Sequence, residues 1–154
     1  MPDYRERLWP TPWIYLSSLL LVPASILVLA PVSLPAGIAT GVLLYLAVAG
    51  TLTLTAPVIE VRDGRFRAGR AEIPLDVTGE AVPAEGEAAR AERGTRLDAR
   101  AFLVIRGWIA DVVRVPVADA ADPAPYWLVS TRHPRELAAA INRSRRPHTG
   151  SGPA

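Results

Sequence analysis

The chain has 154 residues, half of them hydrophobic, with 17 Lys plus Arg against 15 Asp plus Glu and a net charge of +2. So small a charge gives no support to nucleic acid as a partner, and the lack of cysteine excludes disulfides, thiol catalysis and Cys-ligated zinc or iron–sulfur sites. A positive mean hydropathy at this length favours a small domain plus membrane segments over one soluble domain.

Residues 1–12, MPDYRERLWPTP, form a polar leading segment with Arg5 and Arg7, and from Leu8 to Ile59 there is no charged side chain. A membrane-spanning helix needs about 20 apolar residues, and Trp13–Ala30 and Ala36–Ala56 both meet that length. Between them Pro31 and Pro35 remove backbone donors and disfavour helix in the residues before them, so PVSLP reads as the turn of a transmembrane helical hairpin over residues 13–56. Pro23 predicts a kink in the first span, with Ser18 and Ser25 placed to satisfy freed backbone groups. Gly37 and Gly41 form a G-x-x-x-G pattern that either packs against Ser17, Ala24 and Ser25 of the first span or drives a homo-oligomer.

Arginines flank both outer ends of the hairpin, Arg5 and Arg7 before it and Arg62, Arg65, Arg67 and Arg70 after it, whereas PVSLP has none. Positive charge is retained on the cytoplasmic side, which predicts a multi-pass protein of the cell membrane with both termini cytoplasmic. Trp9, Trp13 and Tyr15 mark the same interface. A cleaved signal peptide fits less well, because MPDYRER contains two acids and the apolar run is longer than a typical signal core.

From Pro57 to Arg143 the pattern shortens into alternating runs that predict a cytoplasmic, antiparallel β domain. Asp63-Gly64 between VIEVR and RFRA is a hairpin signal, AEIPLDV continues as a third strand, and FLVIRGW, VVRVPVAD and YWLVST supply three more. EAVPAEGEAARAERGTRLDARA has few large apolar residues and reads as a solvated loop or exposed helical turn. Pro134, Glu136, Leu137 and Ile141 predict a closing helix to about Arg143, and residues 144–154 read as a disordered tail. The outline, an α+β membrane protein with six or seven strands and a C-terminal helix after the hairpin, fits a pleckstrin-homology-like (PH-like) barrel or a sandwich.

The order YRERLWPTPW, two close spans, a D-G hairpin and DPAPYWLVSTRHPRELAAAI resembles a family of actinobacterial two-span membrane proteins catalogued as a domain of unknown function. The resemblance covers roughly residues 4–142 and rests on Asp122, Pro123, Pro125, Tyr126 to Arg132, Pro134 and Leu137. It implies class and topology, and no activity or ligand.

Candidate sites are sparse. His133 and His148 belong to no spaced ligand set or catalytic triad. Glu85, Glu87 and Glu92 as acid/base carboxylates would need a rigid frame that this segment does not suggest. No phosphate-cradling glycine motif occurs, so neither cofactor nor metal is expected. Along the strand 126–131 the Trp127 and Val129 face is assigned inward, which leaves Tyr126 with the surface set. Arg132 is placed either to pair with an internal acid such as Asp122 or to receive an anionic partner, and Arg135, Arg143, Arg145 and Arg146 extend a basic stretch that either meets anionic lipid or orients the protein. The expectation is a non-enzymatic, membrane-anchored module that binds a protein partner or anionic lipid through its β domain, the candidate contacts being Tyr126 and these five arginines. The alternative is an accessory subunit of a transporter or envelope-synthesis complex acting through its hairpin.

Overall fold

A computed structural model describes residues 3–145. It divides into two compact units, a helical one from Trp9 to Ala56 and a second made of the residues up to Leu8 together with those from Pro57 on. The helical unit contains α1 (Pro12–Ser18), α2 (Leu21–Leu29) and α3 (Leu34–Leu54). The stretches Pro12–Leu29 and Leu34–Leu54 are each long and apolar enough to cross a membrane. At 1.5 Å per residue, the 21 residues of α3 rise about 32 Å.

The first stretch is broken rather than merely kinked, at Leu19 and Leu20. Pro23 explains the position, because its ring displaces the carbonyl four residues earlier, which is that of Leu19. Tighter bonds carry the chain through the break: Leu20 N–H donates to Ser17 O at 3.2 Å and Val22 N–H to Leu19 O at 3.1 Å. Ser18 does not repair the break as expected; its hydroxyl donates back to Ile14 O at 2.7 Å. In the turn, Ser33 is the N-cap of α3 and accepts from Ala36 N–H at 3.4 Å, with Pro35 in the first helical turn.

Gly37 and Gly41 are the buried residues of α3. A Cβ built on Gly41 would lie 2.7 Å from Val22 Cα, and one on Gly37 would lie 3.0 Å from Ile26 Cα. The G-x-x-x-G face is therefore occupied within the hairpin, opposite Val22, Ser25 and Ile26. Toward the open end, Tyr15 and Thr53 share a hydroxyl–hydroxyl bond of 2.9 Å.

In the other unit, β1 (Tyr4–Arg7), β2 (Val58–Arg62), β3 (Arg65–Ala68) and β4 (Ala71–Pro74) form one antiparallel sheet in that order. Asp63 (φ 50°) and Gly64 (φ 72°) make the expected two-residue turn between β2 and β3. The leading segment 1–12 supplies β1, and Arg7 is the Cα partner of Val58. The chain thus leaves this sheet at Arg7 and returns to it beside the same residue.

The second sheet runs β5 (Val82–Ala84), β7 (Val112–Pro116), β8 (Tyr126–Ser130), β6 (Phe102–Val104). The all-antiparallel expectation fails here, because β6 pairs with β8 in parallel. FLV and VVRVP are not neighbours: β8 lies between them and pairs with β7 antiparallel on its other side. The segment read as a solvated loop or exposed helical turn contains α4 (Gly86–Arg93), a helix that is not wholly exposed, with Ala89 and Glu92 buried. The closing helix α5 runs from Pro134 to Arg145. Of the tail, 146–154 lies outside the described residues, Arg146 and His148 with it.

The main core joins both sheets, with Ile59, Val61 and Phe66 from the first and Leu8 just past β1, Val113, Val115, Trp127 and Val129 from the second, and Leu137 and Ile141 of α5 packed among them. A smaller cluster of Ala84, Ala89, Val112, Tyr126 and Leu128 occupies the other side of the second sheet. All five residues of β8 are buried for this reason. The Trp127 face is inward as assigned, and the Tyr126 face is covered too. Asn142 ties α5 to the entry of β5: its Oδ1 accepts from Ala81 N–H at 2.8 Å and its Nδ2 donates to Ala81 O at 3.0 Å.

Candidate functional site

Alternation along β1 puts Tyr4 and Glu6 on one face, and that face meets the junction between β8 and α5. Glu6 Oε2 accepts from the Tyr4 hydroxyl at 2.7 Å and from the Thr131 hydroxyl at 2.5 Å. Its Oε1 accepts from Arg132 N–H at 3.1 Å and lies 3.8 Å from the Arg132 guanidinium. Thr131 Oγ1 in turn accepts from His133 N–H at 3.1 Å. One carboxylate thus organises the whole turn into α5, through charge-assisted hydrogen bonds of the stronger kind. The Glu6 side chain is only 10% exposed.

Burial pushes the Tyr4 phenol above its ordinary pKa; the bond to Glu6 and its charge act in the same direction, while the Thr131 bond opposes them. The folded chain therefore holds this proton to higher pH than the unfolded chain does. Its contribution to stability is intact below about pH 10, the ordinary tyrosine value, and is lost as pH rises through the raised one. Denaturant titrations at about pH 8 and about pH 11, bracketing that value, are expected to show the parent losing more stability than Tyr4→Phe.

Beside this junction, Asp3, Tyr4, Arg135, Glu136, Ala139 and Arg143 line a groove of about 360 Å³. Arg135 pairs with Glu85 at 2.8 Å, with its own side chain 80% exposed. Exposed pairs of this kind contribute about 0 to 1 kcal/mol. Across the other face of the second sheet, Glu92 lies 3.5 Å from the Arg114 guanidinium and 3.6 Å from that of Arg96. Arg114 also stacks 4.1 Å over the Tyr126 ring, whose hydroxyl accepts from Asp98 N–H at 2.8 Å and donates to Arg96 O at 3.3 Å.

A family model described as "Protein of unknown function (DUF3093)" matches residues 3–141. The chain belongs to this family. No curated protein and no solved structure matches it.

In this DUF3093 chain the sequence-predicted residues are dispersed. Tyr126, expected at the surface, is 2% exposed, because α4 and the segment after it cover the face that alternation alone would leave open. Arg132 is held by Glu6 and not by Asp122, whose Oδ1 accepts from Ala124 N–H. Arg135 and Arg143 share the groove, and Arg145 ends α5. The three glutamates weighed as acid/base groups are each paired with arginine: Glu85 with Arg135, Glu87 with Arg90 at 2.7 Å, and Glu92 with Arg96 and Arg114. Among the described residues no group of three His, Asp or Glu side chains could hold a metal ion. Sequence reasoning missed Glu6 and Thr131. The one available signal was the i, i+2 spacing of Tyr4 and Glu6, which shares a face only if the segment is a strand.

Proposed function

We propose that this chain is an integral membrane protein whose helical hairpin crosses the cell membrane twice and holds a cytoplasmic interaction module, which binds a protein partner or anionic lipid. The observation that carries the reading is the pairing of Arg7 with Val58. An excursion that begins and ends at one pair of residues, and contains two helices of spanning length, starts and finishes on the same side of a bilayer. Arginines on the two outer flanks and none in PVSLP support a cytoplasmic side for both termini. Two four-stranded sheets with α5 packed between them support a PH-like outline for the module, with the parallel β6 and β8 pair as its departure from that plan.

The absence of native cysteine makes topology directly testable. Val32 and Ala120 are both exposed. Val32→Cys in the hairpin turn is expected to react with an impermeant maleimide on intact cells, and Ala120→Cys only after lysis. The opposite labelling pattern would overturn the orientation, and labelling of both or neither would overturn the hairpin.

A further inference from the structure

One register row crosses the second sheet from edge to edge. Val82 of β5 is the Cα partner of Arg114 in β7, Arg114 of Leu128 in β8, and Leu128 of Leu103 in β6. Ladder partners share a face, so all four side chains stand on the side of the smaller cluster, away from the main core. At the two ends of the row Val82 is 51% and Leu103 44% exposed. Among the described residues of the unit that holds both sheets, these are the exposed large apolar side chains. Strand spacing puts them about 14 Å apart. Between them lies a cation, the Arg114 guanidinium, 4.1 Å over the Tyr126 ring.

The helix α4 covers part of this face and is lightly held. Of its eight residues Ala89 and Glu92 are buried, one contributing a methyl group and the other a carboxylate. Glu92 approaches Arg114 at 3.5 Å and Arg96 at 3.6 Å, yet Glu92 Oε2 and Arg114 Nε are buried with no hydrogen bond to any described residue. Buried charges without hydrogen bonds regain little of their lost hydration. Two further bonds tie α4 to the neighbouring loop, Gly86 N–H to Asp111 Oδ1 at 3.1 Å and Arg93 Nη1 to Ile109 O at 3.4 Å. Glycines stand at both ends, Gly86 as its first residue and Gly94 as its C-cap.

We infer that this row is a docking face for an acidic amphipathic segment of a partner protein, and that α4 is a displaceable cover whose Glu92 takes the place of the partner's carboxylate. The inference deepens the proposed function, resting on its protein-partner reading and not on the topology of the hairpin. A carboxylate free to approach in the plane of the guanidinium bonds Nε and Nη together, which Glu92, fixed by its helix, does not. Apolar side chains on either side of that acid cover Val82 and Leu103. An anionic bilayer is the poorer match, because the nearby cations Arg90, Arg96 and Arg100 are each paired with an acid.

The test uses the full chain in a neutral detergent, where the absence of native cysteine allows single-site labelling. Ala89→Cys on α4 and Ala140→Cys on α5 start equally buried. The first is expected to react with a maleimide at least about tenfold faster, since local opening is easier than global unfolding. Binding is read by fluorescence anisotropy of a labelled helical peptide that presents leucine, glutamate and leucine on one face, spaced to match the row. Glu92→Gln, which releases Arg114, is expected to bind this peptide about tenfold more tightly than the parent. Val82→Ser with Leu103→Ser, at exposed positions where misfolding is not at issue, should weaken binding about tenfold, as should glutamine in place of the peptide's glutamate. Equal labelling rates at the two cysteines, equal affinities of the parent and Glu92→Gln, binding untouched by the serine pair, or displacement of the peptide by phosphatidylglycerol bicelles would each overturn the inference. Labelling of Val32→Cys and Ala120→Cys reads the hairpin independently, so failure of the peptide with that pattern intact removes this face alone.

Discussion

Trp127→Ala is expected to lower the stability of the β unit by about 3 to 5 kcal/mol, the usual cost of removing a large aromatic side chain from a core. The indole lies at the seam between the two sheets: its ring is 5.9 Å from that of Phe66 in the first and 4.4 Å from that of Phe102 in the second. Each sheet is held by its own ladder, so neither can move in to fill the space, and the cavity term adds to the lost transfer energy. Trp127→Phe retains part of the contact and should cost less. The measurement is denaturant unfolding followed by near-ultraviolet circular dichroism. It requires the full chain, because a fragment beginning at Pro57 lacks β1 and with it Leu8 and Glu6. A Trp127→Ala midpoint equal to that of the parent would mean that the two sheets do not share a core.

The helical hairpin has an equally specific weak point. Gly41→Leu should separate α2 from α3, since even a Cβ at that position would meet Val22 Cα at 2.7 Å and Val22 O at 3.1 Å, backbone atoms that cannot rotate away. Overpacking costs about 1 to 3 kcal/mol where neighbours can adjust, and here they cannot. Gly50→Leu serves as the contrast, because a Cβ at Gly50 meets nothing within 4 Å. Titrating the micelle-bound protein with sodium dodecyl sulfate, with tryptophan fluorescence as the signal, should show Gly41→Leu unfolding well before the parent and Gly50→Leu unfolding with it. Equal midpoints for the two variants would contradict the close approach of these helices.

What the sequence revealed and what it concealed follow from the range of the interactions. The two apolar stretches, the proline-bounded turn, the Asp63-Gly64 hairpin and the proline-started α5 all depend on residues adjacent in the chain, and each was legible. β1 was not, because YRER offers one apolar side chain and its partner lies beyond the hairpin. α4 was hidden by its composition: its inward residues Ala89 and Glu92 have the right three-residue spacing, but one is small and the other charged, so no apolar periodicity registers. The burial of Tyr126 depends on that same helix. The parallel match of β6 to β8 joins segments separated by β7, and no local pattern announces it.

The closure of the first sheet across the hairpin has a consequence for biogenesis. Tyr4 to Arg7 leave the ribosome before the hairpin, whereas their ladder partners Val58 to Val61 emerge only after both apolar helices have been synthesised. Until then Glu6 has neither Thr131 nor Arg132 to bond, and the core lacks Leu8. A chain that inserted only one helix across the bilayer would strand Arg7 and Val58 on opposite sides and could never complete the sheet. Under the proposed topology, folding of the β unit is thus a checkpoint on insertion: such a chain keeps an open strand edge on β2, the kind of exposed backbone that quality-control proteases and chaperones recognise.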